Sequence, residues 1–190
     1  ERPNGTLRIE NAGVIEGDRA VGADEEATNA IEIVNSGVLR GRSGVAVALA
    51  PGQGPSTVTL LGASEVYGDI LFGGGDDMLT IEGVTSGVLI NSEFDGGEGE
   101  NMVILEGYDF DDIIGFGPKS GGFELLTLLS EGDRLTAPFR NFQTWRVGGT
   151  DADAAALAAA TPCPAPIPLP GTLPMLLAGM GAVAALRRRR

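Results

Sequence analysis

The chain has 190 residues, of which 26 are acidic, 13 are basic and none is histidine, giving a formal net charge of −13. Four of those basic residues are the terminal arginines, so residues 1–186 set nine basic side chains against 26 acidic ones, a net charge of −17. So acidic a body has no basic face with which to release counterions from phosphates, and the lack of histidine with a single cysteine removes zinc sites, imidazole catalysis and Cys-His chemistry.

From the N-terminus, the sequence repeats itself. Leu7-Arg-Ile-Glu-Asn-Ala-Gly-Val-Ile-Glu-Gly17 matches Ile31-Glu-Ile-Val-Asn-Ser-Gly-Val-Leu-Arg-Gly41 without a gap, so that Asn11, Gly13 and Gly17 fall on Asn35, Gly37 and Gly41. After the turn-like Pro51-Gly-Gln-Gly-Pro55 the pattern returns. Thr57-Val-Thr-Leu-Leu-Gly62 matches Met78-Leu-Thr-Ile-Glu-Gly83, and that segment matches Met102-Val-Ile-Leu-Glu-Gly107 at nearly the same spacing. Units of this period are short alternating strands ending in glycine, which predicts one turn of a parallel β-helix per repeat. Alternate side chains then point inward, so Leu7 and Ile9, Ile31 and Ile33, Val58 and Leu60, Leu79 and Ile81, and Val103 and Leu105 are the predicted apolar columns. Glycine and asparagine suit the corners, and Asn11 and Asn35 are placed to form a side-chain ladder along one of them.

These rungs, over about residues 5–147, resemble the passenger regions of autotransporter and filamentous-haemagglutinin-like adhesins, which implies the fold more than a function. Where an autotransporter β-barrel would follow, this chain carries a different C-terminal segment.

Gly73-Gly-Gly-Asp-Asp-Met-Leu-Thr80 and Gly96-Gly-Glu-Gly-Glu-Asn-Met-Val-Ile104 are similar to the calcium-binding nonapeptide of RTX proteins. They depart from it in lying a whole repeat apart instead of in tandem, in Phe72 standing where a glycine is expected, and in Asn101 standing where an aspartate is expected. The resemblance implies Asp76, Asp77, Glu100 and Asn101 as calcium ligands; the other reading is glycine-rich corners with solvated acids. Asp109-Phe-Asp-Asp112 is a second acidic cluster, which leaves open a polysaccharide lyase-like or glycosidase-like enzyme using Asp109, Asp111 and Asp112. Phe123–Leu129 and Asn141–Val147 read as closing strands, with Phe142 and Trp145 covering the end of the apolar column.

Beyond Gly148 the composition turns to alanine and then to alternating prolines, a spacer in which the alanine run is a candidate helix. Cys163, in Thr161-Pro-Cys-Pro-Ala165, has no partner for an internal disulfide; modification, an intermolecular bond and an unmodified thiol all stay open.

From Leu169 to Leu186 the final stretch carries no charge, and it ends in Arg187, Arg188, Arg189 and Arg190. As a helix it would span roughly 27 Å, near the hydrocarbon thickness of a bilayer, and the arginines would hold the C-terminus on the cytoplasmic side. Thr172 is placed to cap that helix and Pro174 sits in its first turn, while Pro168 and Pro170 keep the preceding residues extended, as a protease requires. Ile167-Pro-Leu-Pro-Gly171 followed by this helix and the arginines resembles the VPLPA-type sorting signal, a relative of the PEP-CTERM signals processed by exosortase-like membrane proteases of Gram-negative bacteria. Ile167 and Gly171 replace the valine and alanine of that core. The resemblance implies recognition through Ile167, Pro168, Leu169, Pro170 and Gly171, and an export signal upstream of Glu1; an uncleaved tail anchor is the other reading.

The expected protein is therefore all-β, a right-handed parallel β-helix over residues 1–148, followed by an Ala/Pro-rich linker over 149–166 and a sorting signal with one transmembrane helix over 167–190. It is expected to be a non-enzymatic structural or adhesive protein, held in the inner membrane during processing and then found in the periplasm, at the cell surface or outside the cell. Its expected partners are an exosortase-like protease, the membrane, and extracellular polysaccharide or other surface proteins, with no nucleic acid; no cofactor is expected, calcium being the one left open.

Overall fold

The computed structural model describes residues 5–24, 29–50, 52, 54–83, 89–90, 92–130 and 133–161. Short strands separated by glycine- or asparagine-containing corners follow one another. They are β1 (Leu7–Asn11), β2 (Val14–Gly17), β3 (Val21–Gly22), β4 (Ile31–Asn35), β5 (Val38–Ala48), β6 (Thr57–Leu60), β7 (Glu65–Leu71) and β8 (Met78–Glu82). There follow β9 (Leu89–Ile90), β10 (Phe94–Asp95), β11 (Met102–Glu106), a 3-10 turn at Phe110–Asp112, β12 (Ile113–Lys119), β13 (Phe123–Ser130), β14 (Asp133–Arg140), β15 (Thr144–Val147), β16 (Thr150–Ala152) and the helix α1 (Ala154–Ala160).

Among the described residues these strands form two sheets, one in the order β1-β4-β6-β8-β11-β15-β16 and the other β12-β13-β14-β10-β7-β5-β2. Successive turns pair in parallel, which makes the body a β-solenoid of about four turns. The register is the one expected from the repeats: Leu7 lies beside Ile31 and Ile9 beside Ile33, Val58 beside Leu79, and Leu79 beside Val103. Ile33, Val58, Leu79 and Val103 stack as one inner column without solvent exposure, as do Leu60 and Ile81 beside them. Each such side chain contributes about 1.5–3 kcal/mol by leaving water, and none can do so without the rung on either side. Across the core, Ile70, Phe94 and Phe139 form a matching column, in which the rings of Phe94 and Phe139 stack at 4.9 Å.

The tight corners depend on backbone that L-residues avoid. Gly97 has φ of 75°, and a Cβ there would strike the carbonyl oxygen of Gly73, one turn back. Both positions lie in the glycine-rich segments that resemble a calcium motif.

The last turn differs from the expected simple closure. Phe123–Ser130 is the middle strand of an antiparallel meander, β12-β13-β14, which rejoins the parallel stack through β14 beside β10. Trp145 does not cover an exposed end; it continues the inner column beside Val103 and is fully buried, with Phe139 at 5.1 Å and Phe116 at 5.4 Å. The cover comes from further along the chain. β16 pairs antiparallel with β15, and α1 seats the buried Leu157 on the core. The side chain of Asp153 caps α1 by accepting the Ala156 N–H at 2.8 Å. The folded body thus runs past residue 148, the boundary expected from composition, through the alanine run to Thr161. Composition changes at 148 because a capping hairpin and helix replace the rungs, while the core beneath them is the same.

No helix among the described residues is long and apolar enough to cross a membrane. The expected membrane helix over 173–186 lies outside the described residues.

Candidate functional sites, the acidic corner and the C-terminal motif

The residues before four parallel strands of the first sheet stand at the same corner of successive turns. Ser56, Asp77, Asn101 and Gln143 immediately precede β6, β8, β11 and β15, and their side chains form a ladder along the solenoid. Ser56 donates its backbone N–H to Asp77 Oδ1 at 2.6 Å, Asp77 donates its own to Asn101 Oδ1 at 2.8 Å, and Asn101 donates its own to Gln143 Oε1 at 2.6 Å. At the head of the series Ser56 Oγ accepts the Ile31 N–H at 3.2 Å. Each polar side chain thereby satisfies a backbone donor that the corner would otherwise bury unpaired. On another corner Asn11 Nδ2 donates to Asn35 Oδ1 at 2.7 Å, the side-chain ladder expected from the sequence.

The four candidate calcium ligands lie on this corner, where one turn is laid over the next. Asp77 and Asn101 are buried and spend an oxygen each on the ladder. Asp76 Oδ1 accepts the backbone N–H of Glu100 at 3.0 Å, and Glu100 itself is exposed. Among the described residues no group of three or more His, Cys, Asp or Glu side chains is arranged to hold a metal ion. The second oxygen of Asp77, Oδ2, has no hydrogen-bond partner among the described residues. Burial outweighs the Ser56 hydrogen bond and pushes this carboxyl up to about 7, with a smaller upward push from the neighbouring Asp76.

The second acidic cluster caps a turn. Asp109 donates its N–H to Asp112 Oδ2 at 2.8 Å across the 3-10 turn, while Asp109 and Asp111 are exposed. A third acidic group carries no motif in the sequence. Asp95 receives Arg140 Nε at 2.8 Å and Asn141 Nδ2 at 2.7 Å, and Arg140 also lies 4.7 Å above the ring of Phe123. Burial raises the Asp95 carboxyl, but the bonds from Arg140, the Gly97 N–H and Asn141 together leave it below its usual range. Asp95 and Arg140 belong to different turns, far apart along the chain, so no local pattern signals the pair. The Ser56-Asp77-Asn101-Gln143 ladder did have a signal, a polar residue directly before each of Thr57, Met78, Met102 and Thr144.

Ile167–Gly171 and Arg187–Arg190 lie outside the described residues, and here comparison with known proteins supplies the information. A family model described as the PEP-CTERM protein-sorting motif matches residues 166–190. No curated protein and no solved structure matches the chain. Fold and motif together define an exported β-solenoid. More particularly, the chain carries a PEP-CTERM sorting motif, a signal recognised in general by exosortase-type membrane proteases, which implies a secreted or cell-surface protein processed at the membrane.

Proposed function

We propose that this protein is a non-enzymatic structural or adhesive component of the surface or extracellular matrix of a Gram-negative bacterium, delivered there by cleavage of its C-terminal signal. The observation that carries the reading is the sorting-motif match over residues 166–190 behind a rigid repeat body. The signal is of the VPLPA type, read through Ile167, Pro168, Leu169, Pro170 and Gly171; Leu173–Leu186 spans the inner membrane until processing, and Arg187–Arg190 fix its orientation. The body is a right-handed solenoid of the adhesin kind, as the near-universal hand of parallel crossover connections favours. It meets polysaccharide or other surface proteins through side chains on its outer faces.

The acids of the body serve its corners in this reading. Asp77, Asp76 and Asp112 each accept a backbone N–H, which is a structural use of a carboxylate and supports a body without catalytic residues or bound calcium. Intact mass and the C-terminal peptide of the mature protein from cells test the proposal. Loss of a segment beginning near Ile167 is expected; a mature chain retaining Arg190 would make this a permanent tail-anchored protein. Turnover of an acidic polysaccharide, abolished by neutralising Asp109, Asp111 and Asp112, would replace the structural reading with an enzymatic one.

A further inference from the structure

Two methionines of the body stand side by side on adjacent turns. Met78 opens β8 and Met102 opens β11, the two strands pair in parallel, and these residues are register partners. Alternate positions of both strands point inward, so Leu79, Ile81, Val103 and Leu105 fill the core while Met78 and Met102 lie on the outer face, partly exposed. The same outward column carries Arg8, Glu32 and Thr57 on the turns before them and Thr144 on the turn after. Polar side chains serve at this position elsewhere, and burial of the inner column does not call for methionine in it.

Neighbouring strands place such register partners about 4.8 Å apart. Two metal–sulfur bonds of about 2.3 Å set in line span about 4.6 Å. A thioether pair on adjacent rungs is thus spaced to hold one ion between its two sulfurs with neither strand moving. Thioether sulfur is neutral and soft, which suits a monovalent d10 cation such as Cu(I) or Ag(I) and gives little to calcium or magnesium. The chain has no histidine, and its single cysteine is at position 163, so the body offers such an ion no stronger soft ligand.

The surroundings favour a cation. Asp76 and Glu100, at the corner before the two strands, and Glu82 and Glu106, at their far ends, are all exposed and bracket the methionines. Between these acids the face is uncharged, with Thr57, Thr80, Ile104 and Thr144 around the pair. Four carboxylates raise the local concentration of cations, and the thioethers between them select the soft ones.

We infer that Met78 and Met102 form a surface site for Cu(I), each Sδ giving one lone pair to a single ion held between the two rungs. The site follows from the strand register and is independent of how the C-terminal signal is processed.

The test titrates Ag(I), a redox-stable stand-in for Cu(I), into the full chain in detergent and chloride-free buffer. Cys163→Ser, Met175→Leu and Met180→Leu remove every other sulfur of the sequence. Calorimetry is expected to show uptake of one Ag(I) per chain, weakened about tenfold by Met78→Leu or by Met102→Leu, exchanges that nearly conserve volume. Met102→Leu with Ile104→Met returns a thioether to the same face but about 7–8 Å away on the diagonal, and is expected to bind no better than Met102→Leu alone. Thr144→Met adds a third rung beside Met102 and is expected to tighten binding about tenfold. Absence of Ag(I) uptake, uptake indifferent to both leucine variants, or full recovery with the diagonal methionine would overturn the proposal. Thr144→Met reads the same register should a leucine variant disturb the fold, and a failure to gain affinity there would equally overturn it.

Discussion

The two ends of this solenoid bury their last apolar column in opposite ways. At the C-terminal end Trp145 sits beneath β16 and α1, fully enclosed, whereas at the N-terminal end Ile9, in the same column, is only partly buried and the neighbouring Leu7 has more than half its surface in water. In the middle every rung is covered by two neighbours, so an end rung loses half of its burial unless something else supplies it. The C-terminal cap is built from residues that resemble no repeat unit, and the first turn repeats the pattern of the interior without a cover among the described residues.

The contrast is sharpest at Trp145. Trp145→Ala should destabilise the body by about 3–5 kcal/mol, read as a lower denaturant midpoint, because it empties a fully buried site ringed by Phe116, Phe139 and Phe142. An effect below about 1 kcal/mol would show the cap to be loosely packed. Leu157→Ala comes next, at about 2–3 kcal/mol, and should raise amide exchange in β15 and β16 before the rest of the sheet.

Asp77 probes the interior that both ends share. Its carboxyl is raised in the folded state, so the folded body holds a proton that the unfolded chain releases. The stability this proton confers is complete below the ordinary carboxyl range and is lost as pH rises through about 7. Asp77→Asn keeps the Oδ1 acceptor for Ser56 and should flatten that dependence, gaining on the order of 1–3 kcal/mol at about pH 8 and little at about pH 4. Parallel pH profiles for the two proteins would refute the assignment. The smallest effect is expected in the first turn, where Leu7→Ala should change unfolding free energy by less than about 1 kcal/mol because the side chain is already more than half exposed.

Much of this was visible in the chain. The spacings between aligned segments reappear as the pairings of β1 with β4, β6 with β8 and β8 with β11, since a repeat of alternating apolar residues has one register that buries its inner face. The calcium-like segments were legible as corners, but the sequence left their acids open between ligands and solvated side chains, because it does not show where an oxygen points. In the fold Asp77 and Asp76 face backbone amides of adjacent turns. The capping role of Thr150–Ala160 was hidden for a related reason. An alanine run with one leucine looks like a spacer until the surface that Leu157 covers is in place.

By itself, then, the sequence determined the repeat, its register and the sorting motif, because each is encoded by residues near one another or by regular spacing along the chain. Only the tertiary structure decided that the last turn reverses into an antiparallel meander, that Asp95 pairs with Arg140, and that β16 and α1 cover the last rung. Those outcomes depend on contacts between distant segments, whose strength is set by burial and desolvation in the assembled core rather than by any local preference of the chain.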